Sequence, residues 1–166
     1  MFDTNYYCLV AGLREYSLDG GAKGFDPHAI LDEILRDLTP RDLRDAVIEI
    51  RRSKLPDPEK TGSAGSFFKN PVVSAEQFAR ISPDGSAPHF VLPDGTVKIP
   101  AAWLIDSCGL KGAMEGGAQV YPAQPLVIVN ASGEATPADV LALENRIVNE
   151  VKARFGVELH PEVEHI

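Results

Sequence analysis

Apolar residues recur along this chain at helical spacing in several separate stretches. Asp26-Pro27 places a capping side chain and a proline at a helix start, and Ile30, Leu31, Ile34 and Leu35 then share one face. Thr39-Pro40 repeats the device, with Leu43, Ala46, Val47 and Ile50 as its stripe and Asp42 in the first turn. Ser74 with Gln77 three residues later marks another start. Pro100 opens the apolar run from Ala101 to Cys108, which Gly109 stops. Thr136-Pro137 opens the longest helix, with Val140, Leu143, Ile147, Val151 and Phe155 on one face and Gly156 at its end.

Between these lie short β-branched and aromatic runs that read as strands: Tyr6–Arg14, Gly117–Tyr121, Leu126–Asn130 and a brief final one at Val157–Leu159. The segments Leu55–Gly65 and Ser82–Gly95 are rich in turn residues and read as loops. Strand, helices, strands, helix and strand in that order predict an α+β fold, a small mixed or antiparallel sheet covered by helices.

Composition narrows the function classes. The chain has 166 residues with 16 Lys+Arg against 24 Asp+Glu, a net charge of −8. Its length suits one domain, or one with a partial neighbour. The acidic balance excludes a general nucleic-acid binder, which needs a basic face for phosphates. Cys8 and Cys108 stand far apart in apolar surroundings and read as reduced, structural thiols. The first residues lack the basic and apolar regions of a signal peptide, and no apolar run is long enough to span a bilayer. The expectation is a cytoplasmic protein with no membrane and no nucleic-acid partner. His28, His89, His160 and His165 are scattered without ligand spacing, so no metal site is expected. Neither a dinucleotide-binding GxGxxG nor a GxSxG nucleophile elbow is present.

Gly62 to Pro71 is the densest stretch for chemistry. Two glycines precede Ser66 at a strand start, and Phe67 and Phe68 would clamp that strand, leaving a rigid, half-buried hydroxyl at its mouth. Residue chemistry alone leaves two readings of Ser66: a hydroxyl-mediated turn, or a proton donor. The cluster Arg51-Arg52-Ser53-Lys54 likewise reads as a solvated helix end or as an anion site.

Several segments resemble the UDP-N-acetylenolpyruvoylglucosamine reductase (MurB) family in order and spacing. They are Lys54-Leu55-Pro56-Asp57-Pro58, Gly62 through Val73 (GSAGSFFKNPVV), Ala101-Ala102-Trp103-Leu104-Ile105-Asp106, Leu110-Lys111-Gly112, Gly116-Gly117-Ala118 and Pro161-Glu162-Val163. The match is to the family's C-terminal, substrate-binding part, and it is firmest from Thr39 onward. It implies reduction of an enolpyruvyl ether on a UDP-sugar by hydride passed from NADPH through FAD, in peptidoglycan precursor synthesis. By the same resemblance Ser66 donates the proton to C2, and Glu162 assists protonation and holds the substrate carboxylate. Lys54, Asn70, Lys98 and Gln124 are implied to contact substrate, the lysines suiting a diphosphate, with Arg51 and Lys69 in support. The loop Ala87-Pro88-His89-Phe90 corresponds to a substrate-covering loop of one subgroup, with Phe90 where the family often has Tyr.

The resemblance also implies a division of the chain. Residues 1–38 would be the tail of the FAD-binding portion and a connecting helix, and 39–166 the substrate-binding domain. The strand Tyr6–Arg14 would be the trailing strand of that flavin portion. On this reading the flavin loops, a polarising Arg and a substrate-binding Tyr lie upstream, so FAD and NADPH serve the complete enzyme and neither is expected on this chain alone. The expected partners are UDP-N-acetylglucosamine enolpyruvate and an FAD-binding half, in the same polypeptide or a partner chain. Two competing readings are a stand-alone UDP-sugar binding module without redox activity, and an interaction protein that keeps the scaffold.

Overall fold

The computed structural model describes residues 39–164. The chain divides into two compact units, Met1–Ser53 and Lys54–Ile166. The expected strand Tyr6–Arg14 and the helix opened by Asp26-Pro27 lie outside the described residues.

Helix α1 (Pro40–Lys54) runs to the boundary between the units. Its start is fixed reciprocally: the Thr39 amide donates to Asp42 Oδ2 at 2.9 Å, and the Asp42 amide donates to Thr39 Oγ1 at 3.2 Å. The apolar stripe read from the sequence is present, but no α1 residue is buried.

The second unit continues with β1 (Ser63–Ser66), β2 (Val72–Val73), α2 (Ala75–Ile81), β3 (Phe90–Val91), β4 (Val97–Lys98), α3 (Ala101–Ser107), β5 (Met114–Glu115), β6 (Ala118–Val120), β7 (Val127–Asn130) and α4 (Pro137–Phe155). Four strands form one antiparallel sheet in the order β1-β7-β6-β5, and three form a second in the order β2-β4-β3. The expected α+β class therefore holds, with antiparallel pairing throughout.

Helix α4 covers β5 and β6 and packs against α3. Thr136 and Asp139 form a capping box at its start, and Gly156 closes it in the left-handed conformation at φ 64°. Leu143, Ile147 and Val151, spaced one turn apart, are fully buried. They join Phe67, Phe68, Ile99 and Leu104 in one core. The Asp139 carboxylate also accepts from the Gly117 amide at 3.4 Å, tying the β5–β6 turn to the helix start. Gly117 permits this approach, since a Cβ there would lie 2.7 Å from the Ala135 Cα.

The structure departs from the sequence reading in several places, among them the two-residue strands Val72–Val73, Val97–Lys98 and Met114–Glu115, which the sequence did not mark. The polar segment Ser82–Gly95 contains β3, which joins its sheet with two exposed apolar residues. Val157–Leu159 forms no strand; Val157 and Leu159 are buried, and pairing comes only at the following Phe68–Pro161 bridge. Ser66 ends its strand instead of starting one, and it is exposed, not half-buried. Phe67 and Phe68 are both buried, as a clamp requires, and their rings pack at 5.1 Å between centroids.

Hydrogen bonds from Thr136 and Gly117 hold the Asp139 carboxyl below its ordinary range. A lowered folded-state pKa contributes stability above the unfolded value and loses it as pH falls through the folded one. Urea unfolding midpoints measured over descending pH should therefore fall less steeply for Asp139→Asn than for the native chain, from a lower starting value at neutral pH.

Candidate functional site

The site begins with a fault in the β1–β7 ladder. Ser63 is paired with Val129 and Ser66 with Val127, so three steps along β1 meet two along β7. One residue is therefore extra, a β-bulge, and Gly65 takes it up at φ 71°. Because β1 is the sheet's edge strand, the bulge ends the ladder with Ser66 exposed at its rim. The hydroxyl-mediated turn that the sequence left open belongs to Ser63, whose Oγ accepts from the Gly65 amide at 3.4 Å. Ser66 Oγ makes no hydrogen bond among the described residues.

Phe67, the next residue, joins three parts of the chain. Its amide donates to the Leu126 carbonyl at 2.8 Å, in the turn between β6 and β7. Its carbonyl accepts from the Glu162 amide, also at 2.8 Å. The Lys69 amide donates to the His160 carbonyl at 2.9 Å, with Phe68 bridged to Pro161 between these bonds. Glu162 is thereby set beside the residue that follows Ser66. Its side chain is exposed and makes no hydrogen bond or ion pair among the described residues.

The remaining expected residues fall in three groups. Asn70 Oδ1 accepts from the Ala101 amide at 2.8 Å, capping α3, whose Pro100 offers no capping side chain. Half of the Asn70 amide is thus structural, and its NH2 remains as a donor. Lys98 sits on the central strand of the small sheet, paired with Val72 on one side and Phe90 on the other. Directly paired residues share a face, so Val72 (52% exposed), Lys98 and Phe90 (67% exposed) form one open row. Gln124 is half-buried in the β6–β7 turn, its amide donating to the Tyr121 carbonyl at 3.1 Å and its carbonyl accepting from Val127 at 3.0 Å. It lies two residues before the Leu126 carbonyl that holds Phe67.

Backbone bonds thus bring together the Ser66, Gln124 and Glu162 segments, and the strand pairing brings together Phe90 and Lys98. Lys54 is not joined to them; it is exposed at the end of α1. Sequence reasoning missed Phe67's role as a junction, because backbone hydrogen bonds leave no mark on residue type. The Gly65 bulge had a signal, the Gly before Ser66. No group of His, Cys, Asp and Glu among the described residues has the arrangement to hold a metal ion, and no described helix is long and apolar enough to cross a membrane. The half-buried Cys108 is a free thiol, its pKa pushed up by burial, which disfavours the reactive thiolate.

Comparison with known proteins gives a consistent picture. The family model for UDP-N-acetylenolpyruvoylglucosamine reductase, C-terminal domain, matches residues 57–166. The UDP-N-acetylenolpyruvoylglucosamine reductase of Porphyromonas gingivalis strain ATCC 33277 is 50% identical over 138 residues, covering 82% of this chain and 40% of that protein. The protein of the same name from Burkholderia multivorans strain ATCC 17616 is 51% identical over 154 residues, 91% of this chain and 41% of its own length. The chain spans about two-fifths of the length of the curated relatives it matches.

The double use of Asn70 separates stability from recognition. Asn70→Ala removes the cap and should cost about 1 kcal/mol in urea unfolding. Asn70→Asp retains an acceptor for the Ala101 amide and should stay near the native value, while losing the NH2 donor as fully as the alanine variant.

Proposed function

Since the chain belongs to the UDP-N-acetylenolpyruvoylglucosamine reductase family, as its C-terminal domain, we propose that it is the substrate-binding and proton-donating part of a reductase acting on UDP-N-acetylglucosamine enolpyruvate. The observation that carries this reading is the junction at Phe67, which places Glu162 beside the Ser66 segment through a 2.8 Å backbone bond. A proton donor and an assisting carboxylate need a shared anchor if they are to meet one substrate carbon.

Reduction of the enolpyruvyl double bond adds a hydride at C3 and a proton at C2. The hydride would come from FAD held by a separate flavin-binding part and recharged by NADPH. Ser66 delivers the proton at C2 from its hydroxyl. A serine hydroxyl is a weak acid, so it must be aimed and assisted; Glu162 assists it and holds the substrate carboxylate. Lys98 and Lys54 neutralise the diphosphate, and Asn70 and Gln124 donate from their amides. Phe90 stacks beside the uridine, without the phosphate-bonding hydroxyl a tyrosine would offer.

These hydroxyl, carboxylate, amide and ammonium groups fit the polar substrate and offer no cradle for a flavin. We assign the flavin to an FAD-binding part, in the same polypeptide or a partner chain, with residues 1–38 as its tail and 39–166 as the substrate domain. The place of action is the cytoplasm, in peptidoglycan precursor synthesis, and this chain by itself is inactive. The exposed row of Val72, Lys98 and Phe90 favours a second reading, a UDP-sugar binding module without redox activity.

In the protein complete with its flavin-binding part, Ser66→Ala should leave flavin reduction by NADPH intact. Rapid mixing with the enolpyruvyl substrate should show reoxidation slowed by about 10²–10⁴-fold. Equal slowing of both half-reactions would remove Ser66 from the proton-donor role. Calorimetric binding of UDP-N-acetylglucosamine that Lys54→Ala or Gln124→Ala weakens, in a protein that takes up no FAD and reduces no enolpyruvyl substrate, would favour the module.

A further inference from the structure

We infer that Gly65 is a positioning residue, the backbone hinge that turns Ser66 out of the core and Phe67 into it; this rests on the proton-donor reading of Ser66. Were the ladder regular from Ser63–Val129, Gly65 would face Val127 and Ser66 would face Leu126. The observed partner of Ser66 is Val127. Strand side chains alternate between faces, so a slip of one residue exchanges the two faces for everything beyond it.

The two faces here are different environments. Ile128 belongs to the main core cluster and Leu126 packs against it, while Val127, also buried at 1% exposure, lies outside that cluster. With the extra residue, Ser66 shares the Val127 side and stays exposed, and Phe67 reaches the core at 1% exposure. Without it, a serine would be directed at the side of the main core cluster and a phenylalanine at the Val127 side, away from that cluster. The junction to Leu126 and Glu162 would move with them.

Gly65 achieves this at φ 71°, where a β-branched residue is strained and asparagine is tolerated. Space is not the constraint, because a Cβ on Gly65 would meet no heavy atom within 4 Å. The requirement is conformational, and that gives it a test by rescue. Gly65→Val should drive the bulge out, whereas Gly65→Asn should keep it.

Two readouts follow, one of them independent of catalysis. In this chain, hydrogen exchange at the Phe67 amide, which is bonded to Leu126, should quicken by about a hundredfold or more in Gly65→Val and stay within about tenfold of native in Gly65→Asn. In the protein complete with its flavin-binding part, Gly65→Val should slow substrate reduction about a hundredfold at saturating substrate, with flavin reduction by NADPH unchanged, and Gly65→Asn should restore most of the rate. Equal protection in both variants, or an asparagine variant as impaired as valine in exchange, would overturn the hinge. Exchange that behaves as expected while Ser66→Ala turns over normally would leave the hinge standing and remove the proton-donor reading instead.

Discussion

The backbone of Phe67 is the constraint on which the site depends. Its side chain is locked in the core, so its amide and carbonyl have fixed positions. One is bonded to the β6–β7 turn and the other to the segment carrying Glu162. Buried peptide groups must find partners, and here two distant stretches of chain supply them. Leu159 buried on one side and Val163 packed against the core on the other keep that last segment in register. The carboxylate proposed to assist protonation, on an otherwise irregular stretch, is thereby tied to the core through its backbone.

Charge is arranged locally, against the overall balance. The net charge is −8, yet a diphosphate responds to the few cations within reach. Lys60, Lys111 and Lys152 are each in an ion pair. Lys54, Lys69 and Lys98 are exposed and in no ion pair among the described residues. Among the described residues, the three lysines in no ion pair are thus the ones on or beside the proposed substrate positions, and Lys98 stands between Val72 and Phe90 on a small apolar platform.

The helices were legible because their signals are local. Proline and capping residues at Thr39, Ser74, Pro100 and Thr136 sit where the helices begin, and the α4 stripe is the buried face. The two-residue strands were not, because a strand that short has no periodicity to read and exists only through its partner. Phe90–Val91 was hidden in this way among turn residues. The candidate site was legible as residues but not as an arrangement. Nothing in the letters Asn70 announces that its oxygen caps α3, and nothing in Gly65 alone fixes which face Ser66 takes; the first depends on a contact to a helix start 31 residues on, the second on pairing with β7.

The central claim is that Glu162 is fixed to Phe67 and so to Ser66. Native-state hydrogen exchange at the Glu162 amide tests it directly. Protection matching that of the core amides of β7, with exchange through global opening, is the expected result. Exchange near the unfolded rate, with β7 still protected, would show that the carboxylate segment is unfastened and would contradict the site described here.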